Sequence, residues 1–287
     1  MTMTIAPGQR GKDRPHTDST ARMGMLQLQA ALDDVRQSLK RLRLAFYLGW
    51  RESILPYRAA RIGPFWMMLQ TALWAGAIGY FLAPSAGRGE PSYYVYVTVG
   101  IALYSTFLIF ISEGASVFVR EKNLILNVPN PFLIYVLKIA AKALIQVVMT
   151  IPIIILSFLV AGLQPNGMIL LAIPALVLLF LFGIGVTLTL GTLGVRFRDV
   201  IFATQAAMRL MLFVTPIFWI VEQRHGARRM LAEINPLYHF ISIVRDPIMG
   251  KAADMHHWNI ALASTVMALM LGFLLFAYYR GRIAIWL

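Results

Sequence analysis

Apolar residues run along this chain in long blocks, not with the short period of a half-buried strand. Six blocks reach the roughly 20 residues that a helix needs to cross a hydrocarbon core: residues 64–83, 93–119, 132–162, 168–195, 200–221 and 258–279. Gly162, Gln164, Pro165, Asn166 and Gly167 form a short polar turn, which predicts two helices around it and not one. Ahead of the first block the pattern changes. Leu39, Leu42, Phe46 and Trp50 recur at three- and four-residue spacing, with Lys40, Arg43, Tyr47 and Arg51 on another face. A basic amphipathic helix of this kind lies in the headgroup plane, and Pro56 ends or kinks it. After the fifth block, Met230-Leu231 and residues 240–244 are short apolar pieces broken by Asn235-Pro236 and Asp246-Pro247. They predict a pair of short re-entrant or interfacial helices.

The expected architecture is therefore an all-α integral membrane protein. Residues 1–37 are read as a cytosolic, partly disordered tail, 38–62 as the amphipathic interface helix, and 63–287 as a six-span transmembrane domain with short outer helices between spans five and six. Composition agrees. Of 287 residues 59% are hydrophobic and only 14% charged, against about 25% charged in soluble domains, and the mean hydropathy is +0.68. The net charge of +13 points to cytoplasmic flanks and anionic headgroups rather than nucleic acid. Basic residues gather before span one (Lys40, Arg41, Arg43, Arg51, Arg58, Arg61), after span two (Arg120, Lys122), after span four (Arg196, Arg198) and in the C-terminal tail (Arg280, Arg282). The first outer loop has Arg88 and the second has none, so both termini are expected in the cytoplasm. Arg224, Arg228, Arg229, Arg245 and Lys251 run against this bias in a longer outer segment.

Several chemistries are missing. With no cysteine, disulfides and thiolate sites are excluded. Neither Gly11-Lys12 nor Gly250-Lys251 sits in a phosphate-binding loop, and there is no H-E-x-x-H. Gly114 to Phe118 lacks the last glycine of a nucleophile elbow. His256-His257 reads as a surface pair. No cluster of acids or histidines gathers at the mouth of a span, so no catalytic residue, metal site or bound cofactor is expected.

Charges inside the spans are costly and pair or line water. Glu113 in span two, Lys142 in span three and Arg209 in span five lie at comparable depth. Glu113 is expected to pair with Lys142 or Arg209, either to fix the bundle or as part of a polar path. Lys138 is expected to snorkel. Gly183, Thr187 and Gly191 let helices approach closely. The aromatics Tyr80, Tyr93, Tyr94, Tyr96, Tyr104, Phe218, Trp219 and Tyr238 collect toward the outer half. They are either an interfacial belt or the lining of a conduit where rings stack on sugars.

Four stretches carry a family likeness, in order: Tyr57 to Trp66; Glu121-Lys122-Asn123-Leu124-Ile125 with Pro129; Arg196-Phe197-Arg198-Asp199 with Thr215-Pro216-Ile217-Phe218; and Asn235-Pro236-Leu237 with Arg245. Together, across roughly 40–280, the chain resembles the permease subunits of type-2 ABC exporters, in the branch exporting O-antigen, capsule and teichoic acid. It departs where Lys122 separates Glu121 from Asn123 and where Pro131 follows Pro129. The resemblance implies a homodimer in the bacterial inner membrane and two copies of a separate ATPase that binds ATP and Mg. The implied cargo is a lipid-linked glycan. It leaves open a type-2 exporter of a small lipid or drug. A membrane enzyme would need clustered acids or histidines, and a scaffold would not need buried charges.

Residues 120–131 are expected to form a short cytoplasmic coupling helix seated on that separate ATPase. Leu124, Ile125 and Val128 are expected to cover one side and Glu121, Lys122 and Asn127 to stay polar, with Asn123 and Pro129 completing the segment. A chain without a phosphate loop must take its energy from elsewhere, and this segment joins two long spans.

Overall fold

In the computed structural model the described residues are 17–82, 92–221 and 226–287, with side chains from Leu26 onward. Residues 1–16 of the expected tail, Arg88 and Arg224 lie outside them. The described chain is helical throughout, with no strand. Five helical segments are long and apolar enough to cross a membrane: Phe65–Leu82 (α3), Ser92–Glu113, Leu133–Ala161 (α7), Gly167–Arg196 and Met255–Trp286 (α12). Within the second, α4 (Ser92–Leu108) passes into a π-helical turn, Ile109–Glu113. Within the fourth, a short 3-10 turn leads into α8 (Ala172–Arg196). The polar turn between α7 and α8 is where it was expected. Gly162 takes φ +63° and closes α7, and the Asn166 side chain accepts from the Met168 N–H.

The fifth expected span differs. α9 (Asp199–Val214) is helical for 16 residues, about 24 Å at 1.5 Å per residue, and the apolar run to 221 continues without helix. Pro216 supplies no N–H and disfavours helical backbone in the residue before it. Thr215 is accordingly extended, at φ −75° and ψ 133°.

Residues 17–40, expected within the tail and the interface helix, form one helix, α1 (Thr17–Lys40). Ala31, Asp34 and Ser38 on one face are buried. A break at Arg41 separates α1 from α2 (Leu42–Ile54), and Pro56 lies in the 3-10 turn that follows α2. α2 packs on α7 through a stripe of small residues, Ala45, Gly49 and Ser53, with Gly49 tight against Ala141 and the Lys138 carbonyl. Phe46 and Trp50 from the expected apolar face and Arg43, Tyr47 and Arg51 from the expected basic face are all left exposed, so the side that packs in the fold is the small-residue stripe and neither of the two faces read from the spacing.

α10 (Ala227–Ile234) is short and mostly exposed, whereas α11 (Pro236–Ile248) is buried along nearly its whole length. Phe240 of α11 meets Phe107 and Phe182 in the core. Of the expected outer pair, one helix is thus a core element. α8 meets the π-helical turn through Gly183 and Thr187, whose Oγ1 donates to the Phe110 carbonyl at 2.8 Å, and Gly191 lies against Gly114 and Val117 just beyond that turn. On its other side Gly185 lies against the backbone of Ala268 in α12.

Candidate coupling site

The turn that widens at Ile109–Glu113 delivers Glu113 to one end of the bundle, where α2, α5 (Val117–Arg120), α6 (Lys122–Asn127) and the start of α7 converge. Six charges meet there. Lys142 Nζ lies 2.6 Å from Glu113 Oε2 and 3.5 Å from Glu52 Oε1. Lys138 Nζ lies 2.5 Å from Glu52 Oε2 and 2.5 Å from Glu121 Oε1. Arg120 bridges Glu52 and reaches Glu113 at 3.1 Å. Three acids therefore balance three bases.

The pairing answers the choice left open for Glu113. Its partners are Lys142 and Arg120, while Arg209 is exposed on α9. Lys138 does not snorkel. It is 4% exposed, because two carboxylates hold its ammonium inside. The acids read as forming no cluster are gathered by the fold. Glu52 was missed altogether, although it follows Ala45 and Gly49 on the side of α2 that faces α7. Burial pushes the Glu52 carboxyl up, but the Lys138 hydrogen bond and charge, with Arg120 and Lys142, hold it below the usual carboxylate range. Burial would lower the Arg120 guanidinium, and Glu52, Glu113 and Glu121 together hold it above its ordinary value.

Above the cluster a cavity of about 480 Å³ opens between α2, α3, α4 and α7, with Gln70, Trp74, Ser105, Glu113, Lys142 and Gln146 in its wall. Every carboxylate of the cluster is salt-bridged, so no free general base is presented. Among the described residues no group of three or more His, Asp or Glu is placed to hold a metal ion. At the other end of the bundle, His256-His257 is not a simple surface pair. The ring Nδ1 of His257 lies 2.7 Å from Nδ1 of His239, whose Nε2 is 2.8 Å from the Glu233 carbonyl. A carbonyl only accepts, so His239 carries its proton on Nε2 and accepts from His257 at Nδ1.

Below the cluster hangs α6. Leu124 is 38%, Leu126 51% and Val128 40% exposed, whereas Ile125 turns inward against the core. The exposed apolar set is therefore Leu124, Leu126 and Val128 rather than Leu124, Ile125 and Val128. The helix restarts at Glu121 after a break, which shifts its phase. Glu121 is occupied by Lys138; Lys122, Asn123, Asn127 and Pro129 are exposed.

The aromatics named from sequence have mixed settings. Tyr104 donates to the Met208 carbonyl of α9. Tyr93 donates to the Phe218 carbonyl at 2.6 Å, and Tyr96 approaches the carbonyls of Pro216 and Trp219 at 3.2 and 3.0 Å. Arg245, which is buried, donates from Nη1 to the Pro216 carbonyl at 2.9 Å and lies over the Tyr96 ring at 3.6 Å. Asn235 Nδ2 donates to Thr215 Oγ1 at 2.8 Å. Tyr93, Tyr96 and Arg245 thus satisfy carbonyls that are left unpaired where α9 unwinds. Tyr94 packs on Gly79, Tyr238 is buried, Phe218 and Trp219 are half-buried, and Tyr80 is exposed.

Residues 43–249 match the family described as ABC-2 type transporter. The chain is 23% identical over 230 residues to the O-antigen export system permease protein RfbA of Klebsiella pneumoniae, covering 79% of this chain and 88% of that protein. A second K. pneumoniae RfbA is 22% identical over the same length. RfbA of Myxococcus xanthus is 23% identical over 206 residues, covering 71% of this chain and 79% of that protein. The matched family region takes in α2, the ionic cluster and α6, and the chain belongs to the ABC-2 type transporter family.

Proposed function

We propose that this chain is the membrane subunit of an ATP-driven exporter that moves a lipid-linked polysaccharide across the bacterial inner membrane. The glycan rests on the likeness to O-antigen export permeases. A separate ATPase binds ATP and Mg²⁺ and docks on α6. Two copies of the chain and two of the ATPase form the exporter. Residues 200–221 make the fifth of six crossings, with α9 as its helical part and the braced segment 215–221 as its end. The basic flanks put both termini, α2 and α6 in the cytoplasm and α10 outside.

One observation carries the coupling: α6 exposes Leu124, Leu126 and Val128 directly below an ionic cluster that joins α2, α5 and α7. A push on α6 then reaches the start of a span through short, desolvated contacts. Tyr80, Trp219 and the cavity beside Gln70 and Gln146 are the groups proposed to meet sugar. The hydroxyls of Tyr93, Tyr96 and Tyr104 support this indirectly, by bracing α9.

The test is export in vesicles reconstituted with the chain, its ATPase and lipid-linked glycan. ATP should move glycan to the far leaflet. Leu124→Asp with Leu126→Asp should abolish ATPase association while insertion is normal. Normal association and export in that variant would overturn the coupling. ATP-driven movement of a small lipid but not of glycan would overturn the substrate.

A further inference from the structure

α1 precedes the region that matches the family, which begins at residue 43, and the proposed function gives it no task. Yet it carries Asp34, 1% exposed. Asp34 Oδ2 accepts the N–H of Phe132 at 3.0 Å, and Oδ1 accepts the N–H of Leu133 at 2.9 Å. Arg280 Nε, near the end of α12, donates to Oδ2 at 3.1 Å. Leu133 opens α7, and the residue before it makes no side-chain cap. The first N–H groups of any helix lack intrahelical partners, and that end of the helix dipole favours negative charge. Asp34 supplies the missing cap from 98 and 99 residues away. Two neighbouring contacts grip the same short joint. Arg41 Nη1 donates to Asn130 Oδ1 at 2.9 Å, and the Arg280 guanidinium lies 5.6 Å from the centre of the Phe132 ring.

The joint so held, 130–133, connects α6 to α7. We propose that Asp34, with Arg280 and Arg41, is a positioning clamp that fixes the angle between α6 and α7. With the joint rigid, displacement of α6 by the ATPase moves α7; with it loose, the joint absorbs the stroke. α1 and the end of α12 thereby become parts of the power transmission, and Asp34 is a positioning residue. The inference rests on the reading of α6 as the ATPase seat.

Asp34→Asn keeps the shape but offers one acceptor oxygen to two backbone donors, and it removes the charge that faces Arg280. Arg280→Gln removes the other half of the clamp at a part-exposed position. The complex with its ATPase, reconstituted in vesicles, is assayed for ATPase association, ATP hydrolysis and glycan moved per ATP. Both variants should associate normally and retain at least about half of the hydrolysis. Glycan moved per ATP should fall at least about fivefold, and the double variant should be no worse than Asp34→Asn alone. An unchanged ratio in either variant overturns the clamp, as does a loss that merely tracks the amount of inserted complex. Leu124→Asp with Leu126→Asp, run in parallel, separates the two readings. Normal ATPase association in that variant defeats the α6 seat itself, whereas lost association with an unchanged ratio in Asp34→Asn defeats the clamp alone.

Discussion

Replacing Lys138 by Met deletes one ammonium from the ionic cluster and preserves its volume. The side chain is almost wholly desolvated and sits 2.5 Å from two carboxylates, Glu52 and Glu121. Breaking a buried pair by removing one partner costs about 3–5 kcal/mol, since the remaining charge stays buried without compensation. Here Glu52 retains Arg120 and Lys142, whereas Glu121 loses its short contact, so the lower part of that range, about 3 kcal/mol, is expected. By contrast, Arg229→Ala breaks an exposed i,i+4 pair with Glu233 that water and salt screen, and it should leave the melting temperature essentially unchanged. At about 2–4 °C per kcal/mol for a chain of this size, Lys138→Met should melt on the order of 10 °C lower in detergent. Tryptophan fluorescence serves as the probe, since the chain has no cysteine for thiol dyes. Glu121→Gln added to Lys138→Met should restore roughly half of the loss, because it neutralises the stranded acid. A loss below about 2 °C, or a double variant no better than the single, would refute the claim that Lys138 and its two carboxylates are a desolvated, mutually compensating unit.

Acid should weaken the same unit. The Glu52 carboxyl is held below the usual carboxylate range by its basic partners, so its contribution is complete above that range and is lost as pH falls through the folded value; melting between about pH 7 and 3 should show a fall that Glu52→Gln flattens. Gly185→Ala places a methyl 2.6 Å from the Ala268 backbone and should cost about 1–3 kcal/mol by parting α8 from α12, whereas Gly76→Ala meets nothing within 4 Å and should gain about 0.5–1 kcal/mol from helix propensity; paired melts check the contrast. Tyr93→Phe and Tyr96→Phe each strip a hydroxyl from the unwound end of α9 and should cost about 1 kcal/mol each, with local protease sensitivity rising around 215–221.

What the sequence made legible was whatever depends on neighbours along the chain. Gly162 and Asn166 announced the turn between α7 and α8. What it hid depends on distant pairing. Nothing near Leu133 signals that its helix is capped by Asp34, 99 residues away. Glu52 carries no local signal of its role, which exists only because α2 sets it beside Lys138. The apolar run through 221 masked the end of α9 at Pro216, because hydropathy does not register a missing N–H. The tyrosines were visible as a cluster, but the carbonyls that take up the hydroxyls of Tyr93 and Tyr96 are open to them only because α9 unwinds. In α6 the error was one of phase: the break at Glu121 rotated Ile125 inward and Leu126 outward.

The central claim is that α6 is the seat of the ATPase, and proximity tests it most directly. A photo-crosslinking amino acid at Leu126, 51% exposed on α6, is compared with one at Ile155, 54% exposed on α7 within an apolar span. In membranes containing the chain and its ATPase, position 126 should crosslink to the ATPase and position 155 should not. Crosslinking of position 126 only to lipid or to a second copy of the chain would contradict the account.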